Sequence, residues 1–530
     1  MASGRDRTIE FSAQPGFYEQ EFDLTISGGG TIYYTLDGSE PTTDSAVYTG
    51  PIHIGDATSS DNVYSARTDT SPGFDSETIT AMGGYDPGYA APDYNVDKCT
   101  VVRAAHIGDD GSVSDTATAC YFVGYADKLG YDNMGVISIV TDPYYLFDYD
   151  SGIYVTGRTM DEYLETMLAD PETAAVDGPY WWWWTANYSR EVATEIPAQI
   201  QVFDTDHRLQ LSQACGINIH GGGSRGKNPK SLNLYARKQY DGNNVFNYDF
   251  FGQGYQVSKV TLFTGGDDDI SKAHDYVVST LLARAGSGIA TMDYKPYVMF
   301  LDGEYWGVYW LTEKYDERYV ANHYGLDKDD VVLIKNNELS VGDESDYEDY
   351  MQTITAFYDT DFSDPANYEW ACEYLDMDNM IEYYAALIYI SRYGDWPGNN
   401  WACWRSKAGG QWRWMLFDVN SGGLTTDVAE VDTIGVTMAD GMFANLMKND
   451  EFRNKLLDEL LQLRDTTYSQ ENVDAVLDEF QNLMDQPMEC NMRRFFGEGS
   501  ESQYYSSIED LREYFELRRE YVPQMVEAWR

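Results

Sequence analysis

Asp395, Asn400 and Asp418 are the residues of this 530-residue chain whose types and spacing could do chemistry. Asn400 follows Asp395 by five positions and Asp418 follows it by 23. One carboxylate can orient or deprotonate an acceptor hydroxyl, while an amide oxygen and a second carboxylate can hold magnesium on phosphates. Taken alone, Asp-x4-Asn also describes a solvated turn, because Asp, Asn, Pro and Gly are turn residues everywhere. The elements around the three residues carry more. Met380, Ile381, Tyr384, Ala385 and Ile388 recur at helical spacing, Asp378 can cap the start, and Gly394 can supply the left-handed residue that ends the helix. Asp395 therefore falls just past a helix end. Residues 396–400, WPGNN, cannot continue the helix, and 401–405 and 411–417 read as two strands around a turn at 407–410, delivering Asp418.

Helix, Asp-x4-Asn, hairpin and Asp is the order that a protein kinase uses between its catalytic loop and its magnesium-binding Asp. Residues 379–423 resemble the CotH family of spore-coat-type atypical kinases, in which a D-W-x-x-N-N stretch precedes a W-R/K-W hairpin and a terminal D-x-D. The likeness extends to NMGVISIVTDPYYLFDYDSGIYVTG at 133–157, GINIHGGGSRGKNPKSLNLYARK at 216–238 and VMFLDGEYWGVYWLTEKYDERYVANHYG at 298–325. The resemblance implies magnesium-dependent transfer of the ATP γ-phosphoryl group to a protein Ser or Thr. Asp395 would be the catalytic carboxylate, and Asn400 and Asp418 would hold the metal. The terminal D-x-D reads Asp418-Val419-Asn420 here, so an amide replaces the second carboxylate.

Residues 221–230, GGGSRGKNPK, lie between two strands, where a glycine-rich turn lets backbone amides approach phosphates. No GK[ST] opens a helix, so this is not a Walker A loop. Read alone, it is a polar hairpin turn. By the resemblance, Ser224, Arg225 and Lys230 are nucleotide-phosphate ligands, and Glu313, in the family's "L.EK" motif, pairs with Lys230. Phe263 and His274 stand where the family's "R.GGND....RD" carries Arg. Asp267, Asp268 and Asp269 read as a solvated acidic turn, with calcium binding the alternative.

The length predicts at least two domains. Residues 11–54 read as short alternating strands around Leu36-Asp37-Gly38-Ser39 and resemble the immunoglobulin-like module found beside chitobiase-type enzymes. The expected fold class is α+β: a small N-terminal β-sandwich over 1–123, a linker at 124–131 and a CotH kinase-like domain over 132–530. The last part, with amphipathic helices at 441–446, 451–464, 470–484 and 507–529, is a helical cover. A hairpin at 99–106 and 117–123 returns to the first sheet. A turn centred on 109–110 would pair Cys99 with Cys120 for a disulfide, and a turn centred on 110–111 would pair Cys99 with Phe122 instead. The four tryptophans at 181–184 cannot all face one core, so one or two are exposed, for packing or for stacking on sugar or protein.

Against 36 Lys and Arg stand 88 Asp and Glu, a formal charge of −52. Such a surface repels nucleic acid and anionic lipid, and it suits a Lys/Arg-rich protein acceptor or simply keeps the chain soluble. No apolar run reaches the ~18 residues that span a bilayer. Residues 1–10 lack a signal-peptide core, so the chain reads as a mature or truncated form of an extracytoplasmic protein or as one that stays inside. Two further functions stand beside the kinase. One is an inactive CotH module serving as a secreted, carbohydrate-associated scaffold, and the other is a kinase-like transferase of AMP or another group.

Overall fold

Period-two alternation of Val, Ile, Leu and aromatic residues builds the sheets of the N-terminal half, and apolar residues at threes and fours build the helices of the C-terminal half. The computed structural model describes residues 8–72, 89–108, 111–170, 182–190, 192–394 and 396–530. The α+β chain divides into two units. The first comprises Met1–Thr264, Lys295–Leu311 and Leu483–Glu501, and the second Gly265–Tyr294, Thr312–Asn482 and Ser502–Arg530.

In the first unit, β1 (Gly16–Tyr18), β2 (Ile32–Thr35), β3 (Ala46–Val47), β4 (Thr100–His106) and β5 (Ala117–Val123) form a sheet in the order β1-β5-β4-β2-β3. Its inward row of Ile32, Val102, Ala104, Ala119, Tyr121 and Val123 shares a core with Leu24, Ile26, Ile52 and Ile54 of two short strand pairs. Val101 lies opposite Cys120, which is the second of the two registers open to the sequence. Cys99 and Cys120 are therefore not directly paired, and both are buried free thiols.

This unit also holds a closed barrel of β6 (Gly135–Val140), β7 (Ile196–Phe203), β8 (Leu209–Ile219), β9 (Leu232–Tyr235), β10 (Lys259–Phe263), β11 (Tyr294–Leu301) and β12 (Glu304–Thr312), in the order β6-β7-β8-β9-β10-β12-β11. The parallel β6–β11 pair closes it. Every second residue points inward, as Ile196, Ala198, Ile200 and Val202 do along β7. The N-terminal sheet is bonded into this barrel. Cys120 N–H donates to the Gln201 side chain at 3.0 Å, whose amide donates to Thr118 O at 3.0 Å. The Glu304 carboxylate accepts the Val63 and Ser65 N–H groups at 2.6 and 2.7 Å. Phe122 meets Phe203 and Phe300 edge to face. Residues 124–131 contribute Tyr125 and Tyr131 to buried positions. Trp182–Thr185 is a single helical turn with Trp184 exposed, and Trp181 lies outside the described residues.

The second unit holds α1 (His274–Ala285), α2 (Glu317–Tyr324) and α3 (Met377–Tyr389), then a sheet of β13 (Val331–Lys335), β14 (Glu338–Val341), β15 (Ala402–Ser406) and β16 (Arg413–Met415) in the order β14-β13-β15-β16. It also holds α4 (Asp450–Asp465), part of α5 (Gln470–Phe496) and α6 (Glu501–Trp529). The α5 helix runs on through Pro487, past the expected end at 484, with Met484, Met488 and Met492 all buried. Among the described residues no helix is long and apolar enough to cross a membrane.

Candidate functional site

The α3 helix buries eleven of its side chains. Its true N-cap is Asp376, whose carboxylate accepts Asn379 N–H at 3.1 Å, so the cap expected at Asp378 sits two residues too late. The helix also ends earlier than expected. Ser391, at φ 54°, takes the left-handed turn foreseen at Gly394. Asp395 lies outside the described residues. Beyond it, Trp396 is buried and donates to Tyr383 Oη at 3.1 Å. Asn400 is half-buried and left-handed at φ 57°. Trp401 is fixed from both sides by Asn336, whose N–H donates to Trp401 O and whose side chain accepts Trp401 N–H, each at 3.1 Å.

From Trp401 the chain passes up β15, through the turn and down β16 to Phe417 and Asp418. Asp418 is half-buried and adopts φ 54°, a conformation uncommon outside glycine and frequent at functional positions. Three neighbours hold it there. The buried Arg392 donates to Asp418 O at 3.1 Å. Asp275, in the first turn of α1, accepts Val419 N–H at 2.9 Å through one oxygen and the Asn420 amide at 2.7 Å through the other. The same Asn420 amide donates to the Asp418 carboxylate at 2.5 Å, while its oxygen accepts Asp267 N–H at 3.1 Å. Gly422 and Gly423 follow because a Cβ there would come within 2.5 Å of Tyr393 O and 2.7 Å of Ile390 O.

Burial, and then the Asp418 charge, push the Asp275 carboxyl up to about 7. Two carboxylates share one amide, and a third at position 420 would add repulsion and remove both donors. This gives Asn420 a physical reason. The acidic run at 267–269 is not simply solvated: Asp268 is buried and accepts N–H groups of Ser271, Ala273 and His274, anchoring the start of α1. Among the described residues no group of three or more His, Cys, Asp or Glu side chains is placed to hold a metal. Asp418 and Asn400 each carry an oxygen donor of the type magnesium takes, one or two carboxylates with water and phosphate completing its shell.

The loop residues singled out by sequence lie in the first unit. Gly221 is left-handed at φ 110°, where a Cβ would press on Ser224 Oγ at 2.4 Å, and Ser224 opens into a 3₁₀ turn at Gly223–Gly226. Arg225 is buried and donates to the carbonyls of Gly221, Tyr188 and Ile219, each at 2.7 Å, and burial lowers its pKa to about 10. Lys230 is fully buried. Its ammonium donates to Arg225 O at 2.5 Å and lies 3.9 Å from the Tyr188 ring centroid, and burial, with the Arg225 charge, drives its pKa well down. Lys230 thus fastens the loop to its own backbone, and Arg225 ties it to the end of β8 and to Tyr188. Glu313, buried in the second unit, accepts Asp293 N–H at 3.2 Å and meets His323 Nε2 at 3.1 Å.

The family model described as CotH kinase protein matches residues 217–522. The chain belongs to the CotH kinase family. A second model, Fn3 associated, matches residues 22–121. No curated protein matches the chain. The CotH match contains the 221–230 loop, Glu313, Asn400, Asp418 and the C-terminal helices. It also contains Asp275, to which the sequence alone assigned no role.

Proposed function

We propose that the chain transfers the γ-phosphoryl group of ATP to a Ser or Thr hydroxyl of a protein, with Mg²⁺. One observation supports this above the others: in a chain of the CotH kinase family, Asp418 stands at the end of the α3–hairpin segment, clamped by Arg392, Asp275 and Asn420. In this reading Asp395 orients or deprotonates the hydroxyl, and Asn400 and Asp418 hold the metal. Bound magnesium supplies neutralisation of the phosphate charge. In the same reading Ser224, Arg225, Lys230 and Glu313 serve nucleotide binding, with Arg225 and Lys230 also keeping their loop in shape. The −52 charge favours a Lys/Arg-rich acceptor outside the cytoplasm. The Fn3-associated region is an immunoglobulin-like spacer that can also contact carbohydrate or the cell surface.

The bonding of Arg225 and Lys230 to nearby backbone carbonyls favours a second reading, a scaffold with weak or no nucleotide binding. Calorimetry with ATP, with and without magnesium, on the wild type and Asp418→Ala separates the two. The kinase reading expects magnesium-dependent binding that is lost in the variant. It also expects transfer from γ-labelled ATP to fall by about three orders of magnitude or more. Absence of binding at millimolar ATP sinks it in favour of the scaffold. Label transferred from the α-phosphate assigns AMP transfer instead.

A further inference from the structure

Phosphoryl transfer needs positive charge beside the equatorial oxygens of the moving group. Residues 396–400 carry no cation. Arg392, the cation bonded to Asp418, is buried and donates to the backbone oxygens of Asp418 and Tyr393. Beyond the metal, a side-chain charge for the phosphate would come from a neighbouring element.

Strand β13 supplies one. Val331 and Leu333 face the apolar cluster that includes Ala402, Trp404 and Met415, and Phe417 packs against that cluster. Lys335 is the next residue on this face, opposite Ala402 in register. Its ammonium lies 3.8 Å from the centroid of Phe417, the residue before Asp418. The following residues, Asn336 and Asn337, have φ of 51° and 62° and connect Lys335 to Glu338 as a two-residue hairpin turn of the primed type. Asn336 is the residue bonded to Trp401 on both sides, immediately after Asn400. The turn that supports the loop thus places a half-buried lysine at the end of the sheet where β15 begins after Asn400 and β16 ends before Asp418.

We propose that Lys335 is a catalytic cation of this site, its ammonium contacting the transferring phosphoryl group of ATP. The inference rests on the kinase reading above. In the step, the bond from the acceptor oxygen to Pγ forms as the bond from Pγ to the bridging oxygen breaks. The leaving electron pair stays on ADP, and the hydroxyl proton passes to a carboxylate base. Lys335 exchanges no proton. The competing account is that the side chain lays its apolar stem on Phe417 and keeps its charge in water.

The test is acylation of the unsubstituted chain with an N-hydroxysuccinimide acetate, read by peptide mass spectrometry with and without saturating Mg-ATP. We expect Mg-ATP to slow labelling of Lys335 about fivefold or more while the exposed Lys328 is unaffected. Lys335→Gln is expected to lower kcat about 100-fold with ATP affinity within about threefold of wild type, and Lys335→Arg to recover part of the loss. ATP bound calorimetrically with Lys335 labelling unchanged overturns this inference and leaves the kinase reading standing. Absence of ATP binding overturns both.

Discussion

Asp275 and Asn420 show how a single atom type can decide what a site tolerates. The Asn420 amide holds two carboxylates that would otherwise repel, and one of them, Asp275, is buried and raised toward neutrality. A carboxyl whose folded pKa lies above its unfolded value binds more protons in the folded state. Its contribution to stability is therefore present at low pH and is lost as pH rises from the usual carboxylate range through the raised value. In Asp275→Asn that contribution disappears, so the slope of stability against pH between about 4 and 7 should become shallower by up to one proton. Urea midpoints across that range test this, and equal slopes in the two proteins would remove Asp275 as the source. None of this was legible locally. Asp275 lies among carboxylates that read as solvated, and its partners are more than 140 residues away in the chain. The place of Asp418 after its hairpin was legible because that hairpin is local.

The elements repeat the contrast. The existence of α3 followed from its apolar spacing, but its end did not, because tertiary bonds fix it. The carbonyls of Ile388 and Tyr389, in the last turn of the helix, accept the fully buried Arg518 of α6 at 2.7 and 2.8 Å. Arg518 also donates to Ala429 O, Val431 O and Thr433 Oγ1, and Tyr514 adds a bond to Tyr389 O. These bonds tie the last turn before the Asp395 loop to the C-terminal helix. Arg518→Met should cost about 3 kcal/mol or more in urea unfolding, since several buried carbonyls lose their donor. Arg518→Lys should recover less than half, because three donors on a point charge cannot reproduce the guanidinium fork. A loss below 1 kcal/mol in the Met variant would refute this account of the helix end. Pro487 within α5 is the other case: local propensity argues for a stop, and buried methionines on both sides override it.

For the whole molecule, the β-rich to helical progression was readable. Barrel closure was not, since the β6–β11 pair joins strands about 160 residues apart and leaves no mark on either one's composition. The same non-local logic governs the bonds from Gln201 to the N-terminal sheet and from Glu304 to the segment at Val63 and Ser65. A gene trimmed to begin at residue 132 would encode a barrel with a raw flank, its Phe203 and Phe300 facing water and the Glu304 carboxylate stripped of two amides. Such a product should express as inclusion bodies where the full chain is recovered soluble, and a soluble, cooperatively melting fragment would show the flank to be dispensable. Swapping this N-terminal segment for that of a distant relative should fail in the same way: it behaves as masonry in the barrel's wall, not as an interchangeable cassette.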